Sequence, residues 1–438
     1  MSFGLRVRLS IMMFLQYYVW GIWLPMIAQR IGSGEGGLDF SPRQQGLIFT
    51  VYGFGAIIGP FVLGQLADRY FATEKVLAFC HLVGAGLLLA AAYAENFWVL
   101  FVLLFVYCNL YMPSMGLTNS ITFRNTTEEK FAGIRLWGTL GWIAAGLSFA
   151  AYLSSRDSSV MQPLFRYVGT PGPRDCLRVA GIVSFFYGFY CFLLPHTPPV
   201  SAKEADPTGS EFGTGASTAL AQLTGEPEKR SAFLESLQLM RNSSFAILVI
   251  VAGLIGIMLA FYFACENFFL QAIGTKKDLV GGYMTIGQIA EVVIMVLVPP
   301  AVARFGYKKT MIIGASAWAL RFGLSVIGQP WWLMIATIGL HGFCFGFFFV
   351  VAQMYVDRMA SADIKASAQN LLIFIIYGIG TIVGSLLTGE VRSYYGEDWS
   401  KIWMGPFILT VLCILAFAAF FHEGDVAKPT ERPDHALV

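Results

Sequence analysis

Residues 196–230 read HTPPVSAKEADPTGSEFGTGASTALAQLTGEPEKR, a stretch of the 438-residue chain that is poor in large apolar side chains. Its Pro, Gly, Ser and Thr mark a flexible linker, because such a segment cannot bury enough apolar surface to offset the entropy lost on folding. On either side the sequence is of the opposite kind. Hydrophobic residues make up 56% of the chain and charged ones 13%, against about 25% charged in an ordinary soluble protein. A water-soluble globule of this length needs a charged surface that these residues do not supply. The mean hydropathy of +0.64 points to a polytopic membrane protein. A net charge of +2 gives no electrostatic ground for a nucleic-acid partner.

A helix needs about 20 apolar residues to cross the hydrocarbon layer. Twelve such runs occur, at about residues 9–29, 44–66, 75–94, 97–121, 133–154, 176–195, 244–272, 281–301, 308–327, 330–356, 366–390 and 400–421. Backbone groups in lipid must be paired within the segment, and barrel strands would alternate over about ten residues, so unbroken apolar runs predict helices. The linker divides the runs six and six.

The chain is therefore expected to be all-α, with twelve transmembrane helices in two six-helix bundles. The first bundle covers residues 1–195, a cytoplasmic linker 196–243, the second bundle 244–421 and a cytoplasmic tail 422–438. Within the linker, Phe233, Leu234, Leu237 and Met240 share a helical face, so residues 231–241 either lie along the membrane surface or extend the next span. The first run is too long for a signal-peptide core and no cleavage site follows it, which predicts a retained helix. Placing both termini and the linker on one side gives that side most of the 29 Lys and Arg. Basic residues favour the cytoplasmic face, so both termini are expected there.

The seven cysteines are dispersed along the runs, a pattern of apolar filler rather than of disulfides or a metal site. No metal and no cofactor is expected. The sequences H-E-x-x-H and G-x-S-x-G and the Walker loop are missing as well, so an enzyme is not expected.

The halves also carry a weak repeat. GQLADRYFATEKVL (64–77) follows run two and AVARFGYKKTMI (301–312) follows run eight, and aligning Arg69 with Arg304 gives an offset of 235, close to half the chain. Each is a short basic turn, and cations are favoured at helix C-termini. Duplicated halves suit a carrier that rocks about a site at the midplane.

Gly64, Leu66, Ala67, Asp68, Arg69 and Lys75 resemble the signature loop of the major facilitator superfamily. LQYYVWGIWLP (15–25), YMPSMGLTNSI (111–121), IRLWGTLGW (134–142), GQIAEVV (287–293), ALRFGL (319–324) and IKASAQN (364–370) resemble the bacterial nucleoside:proton symporters. The resemblance covers nearly the whole chain. It implies a monomeric transporter of the cytoplasmic membrane that moves a nucleoside-like small molecule with protons by alternating access, with Asp68 and Arg69 serving the conformational change.

An ionised side chain at the bilayer centre costs about 2.5–3.5 kcal/mol, so each one inside a run is a functional candidate. Arg135, Thr139 and Trp142 are spaced i, i+4, i+7 on run five, and Gln288 and Glu291 are spaced i, i+3 on run eight. Arg135 has an alternative, snorkelling to the headgroups; Glu291, in mid-run, has no such exit. The resemblance implies that the residues matching Arg135, Thr139, Gln288 and Glu291 belong to the substrate site, on spans that face each other. A carboxylate and an amide accept hydrogen bonds from a sugar diol, while Trp142 and Phe345 offer rings to a nucleobase.

Gln16, on the same face of run one as Trp20 and Trp23, and Asn109 on run four join the substrate candidates. His341, one turn before Phe345, either carries a proton or is a hydrogen-bonded packing group. Glu266, toward the outer end of run seven, is a proton carrier or gate, and Arg321 is expected to pair within its own half. Three positions depart from the resemblance: Ala260 and Phe263 stand where it implies a Gln and an Asn, and Gly346 where it implies an aspartate linked to proton coupling. Coupling then falls to Glu291, Glu266 or His341, or is absent. The alternative reading is a carrier of the same fold for another polar solute, a sugar or vitamin, including an uncoupled uniporter.

Overall fold

The structure is a computed structural model and describes residues 2–60, 63, 70–198, 237, 239–360 and 365–424. Every regular element among them is helical. In the first half these are α1 (Phe3–Trp23), α2 (Ile27–Ile31), α3 (Pro42–Gly59), α4 (Thr73–Tyr93), α5 (Phe97–Asn125), α6 (Glu128–Ser154), α7 (Gln162–Val168) and α8 (Asp175–Tyr190). In the second they are α9 (Ser243–Ala272), α10 (Val280–Ile327), α11 (Trp331–Ile338), α12 (His341–Phe343), α13 (Val351–Met359), α14 (Lys365–Ile373), α15 (Thr381–Tyr395) and α16 (Trp399–Phe420). Two π-helical segments, Cys344–Val350 and Phe374–Gly380, join α12 to α13 and α14 to α15. Asp68 and Arg69, most of the linker and the tail beyond residue 424 lie outside the described residues.

Polar residues set the helix starts. Ser41 and Gln44 form a reciprocal capping box ahead of α3, with Pro42 in the first turn. Asn96 caps α5, Asn242 caps α9 and Asp398 caps α16, each accepting backbone N–H groups that the helix leaves unpaired. Of the anticipated surface helix at 231–241, the described part ends in a 3-10 turn, Leu239–Arg241, and the Asn242 cap begins α9 afresh.

Among the described residues nine helices are long and apolar enough to cross a membrane. The difference from the expected twelve has identifiable causes. Runs eight and nine lie together within Lys277–Ile327 as two helices that meet directly at a kink, where Gly306 has non-helical backbone and no loop intervenes. That residue has φ 78°, a left-handed backbone conformation that requires glycine, and the Glu423 carboxylate lies against it. Run two is described only as far as the 18-residue α3 and residues 60 and 63. Run six gives the 16-residue α8, extended by a 3-10 turn at Cys191–Leu193.

Buried apolar side chains gather in two clusters, one drawn from Leu9 to Leu194 with Ala264, the other from Phe245 to Phe421. Large apolar residues such as Phe186 (67% exposed) and Val296 (73%) lie on the outside, an arrangement suited to lipid rather than water.

The halves meet backbone to backbone. A Cβ on Gly46 of α3 would lie 2.6 Å from the Ser385 carbonyl oxygen of α15, and one on Gly53 would lie 2.9 Å from that of Gly378. Gly146 of α6 abuts the Gly281 backbone and the Thr285 side chain of α10. Polar contacts join the halves nearby. Gln29 donates to the Lys277 carbonyl at 2.8 Å, Asn267 to that of Pro25 at 2.8 Å, and Arg43 pairs with Glu390 at 3.0 Å. Arg392 donates to Gln45 Oε1 at 2.5 Å, its guanidinium 4.0 Å from the Phe268 ring.

Candidate functional site

Close packing of α1 on α6 builds one wall of the space between the halves. Glycines permit the approach: Cβ atoms on Gly21 and Gly138 would meet the Trp142 backbone and the Tyr17 ring. Tyr17 and Trp20 are thereby set beside Arg135 and Trp142. The Arg135 guanidinium lies 4.1 Å from the centre of the Tyr17 ring, a cation–π contact. Trp142 meets Trp20 edge-on at 4.7 Å and 87°, and Trp20 stacks on Tyr52 of α3 at 5.6 Å and 8°. Arg135 and Thr139 are half-buried on this wall.

Opposite, α10 carries Gln288 and Glu291, both half-buried. Their segment is fixed by α12, because a Cβ on Gly342 would lie 2.6 Å from the Ala290 carbonyl and one on Gly287 3.2 Å from the His341 Cβ. Gln288 Oε1 is buried without a hydrogen-bond partner. Glu291 and Arg135, from opposite halves, are within electrostatic reach of each other, yet no ion pair closes between them. A guanidinium and a carboxyl group thus come within electrostatic reach from opposite halves with hydrogen-bonding capacity unspent, as a polar ligand requires.

The remaining candidates lie further back. Gln16 is fully buried and both ends of its amide are engaged, donating to Ser114 Oγ at 2.8 Å and meeting His81 Nε2 at 2.9 Å. His81 closes the network on Ser184 at 2.9 Å. Asn109 donates to the Phe105 carbonyl at 2.8 Å, leaving its oxygen unpartnered. His341 is buried, its ring in contact with those of Tyr262, Phe263, Trp318 and Phe345, and its Nδ1 has no partner.

Arg321 pairs with Glu266 at 3.2 Å, with side-chain exposures of 1% and 3%, and lies 3.9 Å over the Tyr262 ring. This second charged pair is closed within its own half, as expected for Arg321.

Two of the three departing positions point at neighbouring helices. Ala260 is buried, with Gly384 of α15 packed against it. A Cβ on Gly346 would meet Ile294 at 3.1 Å and Val298 at 3.5 Å, so apolar side chains occupy that direction. Phe263 is half-buried beside His341.

Sequence reasoning missed Tyr17 and Tyr52. The i, i+3 spacing of Tyr17 and Trp20 was the available signal; the chosen stripe of Gln16, Trp20 and Trp23 instead divides, with Gln16 and Trp23 buried and Trp20 on the wall.

Residues 3–426 match the family described as nucleoside H+ symporter. The chain is 30% identical to the Escherichia coli protein YegT over 95% of this chain and 94% of that one. It is 27% identical to the xanthosine permease of Escherichia coli, covering 98% and 99% of the two chains. In three dimensions it is similar to the crystal structure of a mutant of the nucleoside transporter NupG, with a TM-score of 0.79 at 26% identity over 95% of this chain and 100% of that one.

Proposed function

The chain belongs to the nucleoside H+ symporter family, and from that premise we propose that it carries a nucleoside or related ribosyl compound across the cytoplasmic membrane, driven by protons. The observation that carries the reading is Arg135 facing Glu291 from opposite halves with no ion pair between them. Glu291 and Gln288 hold the ribose hydroxyls, Arg135 and Thr139 hydrogen-bond to the ligand, and Trp142 and Phe345 pack against the base.

Twelve crossings in two six-helix bundles follow if the bent Lys277–Ile327 piece counts twice and the shorter α3 and α8 each count once. With both termini cytoplasmic, the α3–α15 and α6–α10 seams lie toward the outside, so this is the outward-closed state of an alternating-access carrier. The protein works as a monomer, and Asp68 and Arg69 serve the switch between states.

Among the three candidate proton carriers the surroundings favour Glu291. Glu266 is committed to Arg321, and His341 is buried among the rings of Tyr262, Phe263, Trp318 and Phe345, an apolar surround in which an added charge is costly. Apolar residues at 260 and 263 favour a second reading, a carrier of a different polar solute. Uridine uptake into proteoliposomes under an imposed pH gradient separates the two: accumulation supports the first reading, and binding of a sugar or vitamin without uridine transport supports the second.

A further inference from the structure

The segment Phe374–Gly380 is wound as a π-helix, a rare form that is frequent at functional sites and turns the side chains after it away from an α-helical register. Small residues clamp it on two sides. A Cβ on Gly378 would lie 2.7 Å from Ile57 of α3, and one on Gly380 would lie 3.1 Å from the Gly256 backbone of α9. Ile376 is buried with its backbone against Gly256. The segment is thus wedged between an element of each half, with Tyr377 half-buried at the seam.

The Tyr377 ring lies 6.5 Å from Phe349, which is 5.9 Å from Phe345, which is 6.1 Å from His341. Phe345 and Phe349 belong to the other π-helical segment, Cys344–Val350. The two unusual turns therefore present one continuous aromatic face that ends at Tyr377. Its hydroxyl is within electrostatic reach of Glu291 on α10 and of Tyr17, the platform under Arg135. No group among the described residues hydrogen-bonds to it, and it is not sealed among the unpartnered buried atoms.

We propose that Tyr377 is a substrate-binding residue whose hydroxyl hydrogen-bonds the ribose diol of a nucleoside held between Arg135 and Glu291. A phenol beside a carboxylate suits a vicinal diol: the carboxylate accepts from one hydroxyl, and the phenol donates to or accepts from the other. Trp142 on the opposite wall and Phe345 are left for the base. The assignment rests on the nucleoside reading.

The test is uptake of uridine and of 2′,3′-dideoxyuridine, which lacks the diol, by proteoliposomes holding wild-type protein or Tyr377→Phe. The substitution keeps the ring and removes only the hydroxyl. The expected result is a rise of about tenfold in KM for uridine, with the KM for dideoxyuridine, already raised in the wild type, unchanged by the substitution. An unaltered uridine KM, or an equal loss for both compounds, would overturn the assignment, the second outcome pointing to ring packing. Wild-type protein that moves neither compound would overturn the nucleoside reading and this assignment with it, a result distinct from the other two.

Discussion

Replacing Glu266 with glutamine removes one charge from a pair that has no route to water. Glu266 and Arg321 are 3.2 Å apart with side chains 3% and 1% exposed, and the guanidinium Nε and Nη1 have no hydrogen-bond partner. After Glu266→Gln the cation keeps an amide oxygen and the face of Tyr262, which lies 3.9 Å away. Removing one member of a buried pair costs about 3–5 kcal/mol, and the retained acceptor puts this case near the lower end. At about 2–4 °C per kcal/mol for a cooperative unit of 150–250 residues, Tm in detergent falls by about 6–12 °C.

The double variant Glu266→Gln/Arg321→Met removes both charges and is expected to recover most of that loss. It is also expected to accumulate uridine under a pH gradient, since Glu266 is structural in this account. A single variant with unchanged Tm would refute the energetic argument. A double variant with restored Tm that no longer couples uptake to protons would make Glu266 the proton carrier.

Two further outcomes follow from the same contacts. Tyr17→Leu removes the ring under Arg135, a contact worth about 0.5–2 kcal/mol depending on desolvation, so the KM for uridine rises about two- to thirtyfold while Tyr17→Phe stays close to wild type; radiolabelled uptake measures both. Gly46→Val drives a side chain into the Ser385 backbone, with the Cβ alone only 2.6 Å from its oxygen. The α3–α15 seam then opens, and a cysteine placed at Ile382 should react faster with an impermeant maleimide added outside than it does in the Gly46 background.

Charge and hydropathy made the helical class legible in the sequence and singled out Arg135 and Glu291, because a charge in an apolar run is rare and costly; that their spans face each other was implied only by the family resemblance. The same signal marked Glu266, whose partner Arg321 is 55 residues away. Rarity identifies a buried charge; only packing reveals which one is already neutralised. Gln16 illustrates a similar limit, since a polar residue in a span is either a ligand group or half of an internal hydrogen bond, and His81 decides between them.

Aromatic residues carried little sequence signal because they make up 15% of the chain and recur on every face. Tyr17, Tyr52 and Tyr377 acquire meaning from what their rings touch. The π-helical turns have no recognisable residue pattern, and the bend at Gly306 resembles a loop until its neighbours fix a single conformation.

Accumulation of radiolabelled uridine in proteoliposomes with an acidic exterior, compared between wild-type protein and Glu291→Gln, tests the central claim most directly. Wild-type protein should concentrate uridine above the external level and lose that ability when a protonophore collapses the gradient. The variant, folded and with unchanged Tm, should not concentrate it at all. Accumulation by Glu291→Gln equal to wild type would contradict the account, because the carboxylate facing Arg135 would then carry neither the proton nor the substrate.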